Sequence, residues 1–211
     1  MTDCPPSADD SVAGLILAGG RARRMETEDK GLMLLCGQPL VQHAIERLRP
    51  QVNALRISAN RNLESYAAFG LPVISDESPD FLGPLAGIAR ALATTDSPWL
   101  ATLPCDAPLA PLDLVSRLRV ALQPRGGVAA VAFDGERLQP LFALLHRCVL
   151  PGLRAYLDGG GRSVRDWLES VDPIRVDFAD IPAAFRNLNT PQDLAALQEL
   201  MPCPTTPAPT A

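Results

Sequence analysis

The sequence predicts an α/β sandwich built around a mostly parallel, partly mixed sheet, and three observations lead there. Short, near-continuous apolar runs alternate with stretches of helical period along almost the whole chain. One pair of such runs flanks Asp134-Gly135, a hairpin signal, so part of the sheet is antiparallel. Neither an internal repeat nor an interior linker breaks the pattern. Residues 12–201 therefore read as a single domain, between ends (1–11 and 202–211) rich in Pro, Thr, Ala and Asp that are expected to be disordered.

The elements follow in order. Residues 14–17 form a buried strand that runs into Ala18-Gly19-Gly20. Leu40, Val41, Ala44, Ile45 and Leu48 recur at helical spacing and stop at Pro50. Residues 55–57 and 72–74 supply the next two strands. A helix opened by Pro84 then carries Leu85, Ile88, Ala89 and Leu92 on one face. A buried strand at 99–103 ends in Pro104-Cys105-Asp106, and a helix follows over Leu114, Val115, Leu118 and Leu122. Runs 128–133 and 141–145 make the hairpin, and 174–178 a late strand. Thr190-Pro191-Gln192-Asp193 starts a last helix with a capping threonine and an early acid.

Composition excludes several functions. With 211 residues and a formal charge of −5, the chain is no general nucleic-acid binder, and no apolar run has the length to cross a bilayer. The polar, acidic N-terminus lacks a signal peptide's basic start and apolar stretch, so a cytoplasmic location is expected. Five scattered cysteines without a CxxC pair argue against a disulfide framework and a zinc site. The only histidines, His43 in a helical pattern and His146 at a strand end, read as structural.

Most of the chemical information lies between Leu17 and Gly31. Gly19 and Gly20, directly after a buried strand, let the backbone turn tightly and present N–H groups to an anion. Arg21, Arg23, Arg24 and Lys30 add mobile positive charge, a combination suited to a triphosphate. The loop is neither a P-loop nor a GxGxxG fingerprint. Lys30 is the only lysine in the chain, every other basic side chain being arginine. An ammonium kept at one position suits phosphate binding by a compact point charge.

Carboxylates sit at two strand ends. Ligands of open α/β sheets bind beyond the carboxyl ends of the strands. Asp106 falls there and can hold Mg²⁺, which takes its remaining ligands from water and substrate phosphates; a plain turn aspartate is the competing reading. Asp76 follows its strand in the same way, and Gly83-Pro84-Leu85-Ala86-Gly87 opens a helix beside it. Asn189 also fits an Asx turn, while Arg162 and Arg165, after three glycines, are candidates to grip an anionic second substrate. Cys105 reads as a buried, inert thiol.

Together these residues resemble the molybdenum cofactor guanylyltransferase family of the nucleotidyltransferase superfamily. The likeness is carried by Leu17-Ala18-Gly19-Gly20-x-x-x-Arg24-Met25, Asp29-Lys30-Gly31, Ala59-Asn60, Asp76, the 83–87 segment, Pro104-Cys105-Asp106-Ala107-Pro108 and Asn187-x-Asn189-Thr190-Pro191, in that order over residues 14–200. The resemblance implies a three-layer α/β/α fold like that of nucleotide-diphospho-sugar transferases. It implies nucleotide contacts from Leu17, Ala18, Gly19, Gly20, Ser58, Asn60 and Asp76, and Arg24 and Lys30 acting on the phosphates. Asp106 would bind both GTP and Mg²⁺, and Arg162, Arg165, Asn187 and Asn189 would serve the second substrate. The implied reaction transfers GMP from GTP to the phosphate of molybdopterin, by a monomer that works alongside other molybdenum-cofactor proteins and their target enzymes. Two positions depart from the family pattern: Ser58 stands where asparagine is common, and Glu26 replaces a glycine. A sibling enzyme using CTP, one acting on a sugar phosphate, and a non-catalytic nucleotide-binding paralogue are the alternatives.

Overall fold

The structure, a computed structural model, describes residues 9–18, 29–76, 83–124, 126–186, 188 and 191–200. The first strand, β1 (Val12–Leu17), is buried along its whole length, as its unbroken apolar run demands of a strand covered on both faces. A short hairpin of β2 (Leu34–Leu35) and β3 (Gln38–Pro39) precedes α1 (Leu40–Leu48), whose stripe of Leu40, Val41, Ala44, Ile45 and Leu48 is the predicted buried face. Then come β4 (Ala54–Ser58), α2 (Leu63–Ala67), β5 (Val73–Ile74) and α3 (Pro84–Thr94). The second half runs β6 (Trp99–Pro104), α4 (Leu114–Leu122), β7 (Ala129–Phe133), β8 (Leu138–His146), α5 (Leu150–Asp158), α6 (Val164–Ser170), β9 (Ile174–Asp177) and α7 (Pro191–Leu200).

Seven strands form one sheet in the order β5-β4-β1-β6-β8-β7-β9. All pairings are parallel except those of β8, which runs against both β6 and β7. The hairpin read from the sequence is therefore the source of the mixed character. Side chains alternate across β1. Val12 and Ile16 join the core under α1 and α4, whereas Ala13, Leu15 and Leu17 join the core under α3, α5 and α6. Two apolar layers on either side of one sheet make the three-layer sandwich.

One feature was not in the sequence expectation. The β2–β3 hairpin packs with Leu40, Leu188 and Leu197 into a third, smaller cluster, which docks α7 against the body. Cys105, next to the end of β6, is a buried free thiol.

A candidate nucleotide site at the carboxyl edge of the sheet

Strands β4, β1 and β6 end level with one another, Leu17 pairing with Ser58 on one side and Pro104 on the other. The chain leaves β1 toward β4 on one side, and β6 is added on the other, so the strand order reverses at β1 and opens a crevice there. Hydrogen bonds continue past the strand ends. Ala18 N donates to Ser58 O at 2.8 Å, Cys105 N to Leu17 O at 3.1 Å, and Ala59 N to Ile74 O at 3.0 Å. The first residues after β1, β4 and β6 are thereby tied, with the end of β5, into one floor.

On the β6 side, Lys30 Nζ lies 3.7 Å from Asp106 Oδ2, with side chains 30% and 15% exposed. The ammonium and the carboxylate that the sequence singled out face each other. Burial raises the Asp106 pKa, and the neighbouring Lys30 only partly opposes it, so the net displacement is upward. One ammonium does not compensate the solvation that this carboxylate has lost, and a second positive charge would be favourable here. The Asp106 carbonyl accepts from Leu188 N at 3.1 Å, which fixes the turn that carries the carboxylate.

The backbone at Lys30 is held from below. Asp29 caps the 3₁₀ turn Lys30–Leu32 by accepting from Gly31 N at 3.2 Å. It also accepts from Tyr66 Oη at 2.6 Å and from Asn62 Nδ2 at 3.0 Å, with Arg61 Nε 3.7 Å away. A Cβ on Gly31 would stand 2.4 Å from the Tyr66 hydroxyl, so only glycine allows that approach. Sequence reasoning gave Asp29 no role beyond its place in the Asp29-Lys30-Gly31 motif, and it missed Asn62 and Tyr66.

The β5 side holds a second polar group. Asn60 Nδ2 donates to Asp76 Oδ2 at 2.7 Å, and Asp76 N returns a bond to Asn60 Oδ1 at 2.8 Å. Burial raises the Asp76 pKa and the Asn60 amide opposes it. Ser58 is only 4% exposed and packs under the first turns of α3, where a Cβ on Gly87 would fall 2.2 Å from its Oγ. Ser58 thus spaces β4 from α3, a reason for Gly87 that the motif alone did not supply.

Leu17 and Ala18 are part of the floor, Leu17 with its side chain in the core beneath α3. Gly19, Gly20, Arg24, Glu26, Asn187, Asn189 and Thr190 lie outside the described residues. Arg162 Nη1 donates to the carbonyls of Leu157 (2.8 Å) and Gly161 (2.6 Å), closing the loop after α5, and Arg165 is exposed on α6. The histidines have structural bonds. His43 Nε2 is 3.0 Å from Leu35 O, and His146 Nδ1 accepts from Cys148 N at 3.2 Å. Cys105 is buried, and burial, followed by Asp106 and Asp29, pushes its thiol pKa far up, which makes it a poor nucleophile. Among the described residues no group of three or more His, Cys, Asp or Glu side chains forms a metal cage, and no helix is long and apolar enough to cross a membrane. A cation at Asp106 would take one protein carboxylate, the donor set that suits a hard ion which keeps water and phosphate ligands.

Comparison with known proteins bears on the family and the fold. Residues 14–174 match the model of the MobA-like NTP transferase domain. The chain is 47% identical over 198 residues to a molybdenum cofactor guanylyltransferase of Vibrio cholerae, covering 94% of this chain and 97% of that one. It is 48% identical over 194 residues to one of Cupriavidus taiwanensis, covering 90% and 97%. In fold it is similar to molybdopterin-guanine dinucleotide biosynthesis protein A of Archaeoglobus fulgidus, with a TM-score of 0.73, 21% identity, and 89% and 97% of the two chains covered. A CMP:2-keto-3-deoxy-manno-octonic acid synthetase shares the fold at a TM-score of 0.68 and 13% identity, over 91% and 98% of the chains.

Proposed function

Since this chain belongs to the MobA-like NTP transferase family and is a nucleotidyltransferase, we propose that it transfers GMP from GTP to the terminal phosphate of molybdopterin and releases pyrophosphate. The observation that carries the reading is the Lys30–Asp106 pair in the crevice beside β1, an ammonium facing a carboxylate whose lost solvation is only partly restored.

An acceptor phosphate oxygen forms a bond to the α-phosphorus of GTP while the bond from that phosphorus to the bridging oxygen breaks, and the electron pair leaves with pyrophosphate. The acceptor is anionic at neutral pH, so no general base is required, in keeping with two structurally engaged histidines. Lys30 stabilises charge on the departing pyrophosphate, and the floor that includes Leu17 and Ala18, with Asn60 beside it, holds the nucleotide in line. Asp106 is the residue that would hold a divalent ion, Mg²⁺ in our reading, which supplies Lewis-acid neutralisation of the phosphates. Asp76, braced by Asn60, offers acceptor oxygens that match the ring N–H and exocyclic amino group of guanine; cytosine presents acceptors at the corresponding positions. That complementarity favours GTP over CTP. Gly19, Gly20 and Arg24 would complete the phosphate loop. Arg162, Arg165, Asn187 and Asn189 would meet the acceptor.

The test is magnesium-dependent pyrophosphate release with molybdopterin and either GTP or CTP. The reading requires turnover with GTP, strong preference over CTP, and loss of about 10²–10³ in kcat for Lys30→Ala. Wild-type rates in Lys30→Ala would remove the assignment.

A further inference from the structure

We infer that Asp29, gripped by Tyr66 and Asn62, is a positioning residue that sets the Lys30 ammonium in the crevice. The inference rests on the assignment of Lys30 to the triphosphate. Asp29 is adjacent to Lys30 in sequence, and its side chain is 4% exposed. Its Oδ1 accepts from Gly31 N and from the Tyr66 hydroxyl, and its Oδ2 accepts from the Asn62 amide. The residues on both sides of Lys30 are thereby joined to each other and to the segment that leaves β4. Lys30 has little backbone freedom left, and its long side chain projects from a fixed base toward Asp106.

Asn62 makes the case that this is more than packing. It stands at the N-cap of α2 in the left-handed region (φ 52°, ψ 36°) and makes no capping bond to its own helix. An asparagine at that position ordinarily stabilises the helix it precedes, and a non-glycine residue in that region carries backbone strain. Here the amide is spent on Asp29 instead. Tyr66 is fully buried, and burial, together with its hydrogen bond to the Asp29 carboxylate, pushes its phenol pKa far above the usual range, so it stays a donor at any working pH. A long, strongly hydrated ammonium gains from a fixed origin, because the backbone order that aims it is in place before substrate binds.

Because Lys30 is the only lysine, ¹³C-lysine labelling gives one side-chain spin system, which reports its environment independently of turnover. Asn62→Gly retains the left-handed backbone and removes only the amide; Tyr66→Phe removes only the hydroxyl. In both, the Lys30 ε-methylene signal is expected to move toward that of a solvent-exposed lysine, and its response to GTP with Mg²⁺ is expected to shrink. GMP transfer should fall about 10- to 100-fold in kcat/KM, and neither substitution should cost anything further in a Lys30→Ala background. An unchanged lysine signal in folded Asn62→Gly and Tyr66→Phe overturns the inference, as does an equal loss of activity with and without Lys30. Loss of the bracing signature in a protein that transfers no GMP would instead sustain the positioning role and sink the transferase reading.

Discussion

Replacing Gly87 by alanine tests the closest approach in the nucleotide site. The new Cβ would lie 2.2 Å from Ser58 Oγ, 3.1 Å from Ser58 Cβ and 3.8 Å from Asp76 Oδ1. Turning the serine rotamer relieves the first contact. The second needs a few tenths of an ångström between α3 and the end of β4, and the third is ordinary contact. Two opposing terms set the stability change. Alanine in a helix interior gains about 1 kcal/mol over glycine, while overpacking a dense interior costs about 1–3 kcal/mol. The net is a loss of about 1 kcal/mol, or a Tm lower by roughly 2–4 °C for a chain of this size. Thermal unfolding followed by circular dichroism measures it, and the KM for GTP should rise because the helix moves at the nucleotide side. Ser58→Ala removes Oγ, so the same substitution in that background should recover most of the loss. If Gly87→Ala costs as much without the Ser58 hydroxyl as with it, the reasoning is wrong.

Asp106→Asn should abolish metal-dependent transfer while leaving the unliganded fold at least as stable, since burial already disfavours the charged form. For Asp76→Asn the sign follows from its raised pKa. The native state binds this proton more tightly than the unfolded chain, so stability present at low pH is lost as pH rises from about 4. Urea titrations should show the variant's advantage over wild type widening through that range and then levelling. Arg117 on α4 stacks 3.9 Å over Phe178 and pairs with Asp180 through both terminal nitrogens. Arg117→Ala should cost about 0.5–1 kcal/mol from the lost stacking and leave transfer kinetics untouched. Trp167 Nε1 is buried without a hydrogen-bond partner among the described residues. Trp167→Phe should therefore destabilise by less than the roughly 3–5 kcal/mol of truncating a buried aromatic to alanine, and equilibrium denaturation decides it.

Strands β1 and β6 were legible because burial on both faces leaves a near-continuous apolar run, broken in β6 only by the buried Thr102, and α1 because nine residues are enough to show a period. Helix α2 was not, since the five residues of Leu63–Ala67 span little more than one turn and bury only Tyr66. The three glycines at 159–161 drew attention to Arg162 and Arg165 but did not show that Gly159 and Gly160 form the exit of α5, Gly160 at φ 87°, or that Arg162 bonds the carbonyls of Leu157 and Gly161. Lys30 stood out through composition, as the one ammonium among arginines. Its bracing did not, because Asn62 and Tyr66 are 33 and 37 residues away from Asp29 in sequence. Side chains that act through contact at such separations leave no spacing to read.

The ties among Ala18, Ser58, Leu17, Cys105, Ala59 and Ile74 have a thermodynamic consequence. A platform stitched by main-chain bonds is already ordered before any ligand arrives, so its conformational entropy was surrendered during folding and is not charged again to the association step. Amide protons at 18, 59 and 105 should accordingly exchange with deuterium as slowly in the empty protein as in the nucleotide complex, and whatever slows on saturation should lie elsewhere.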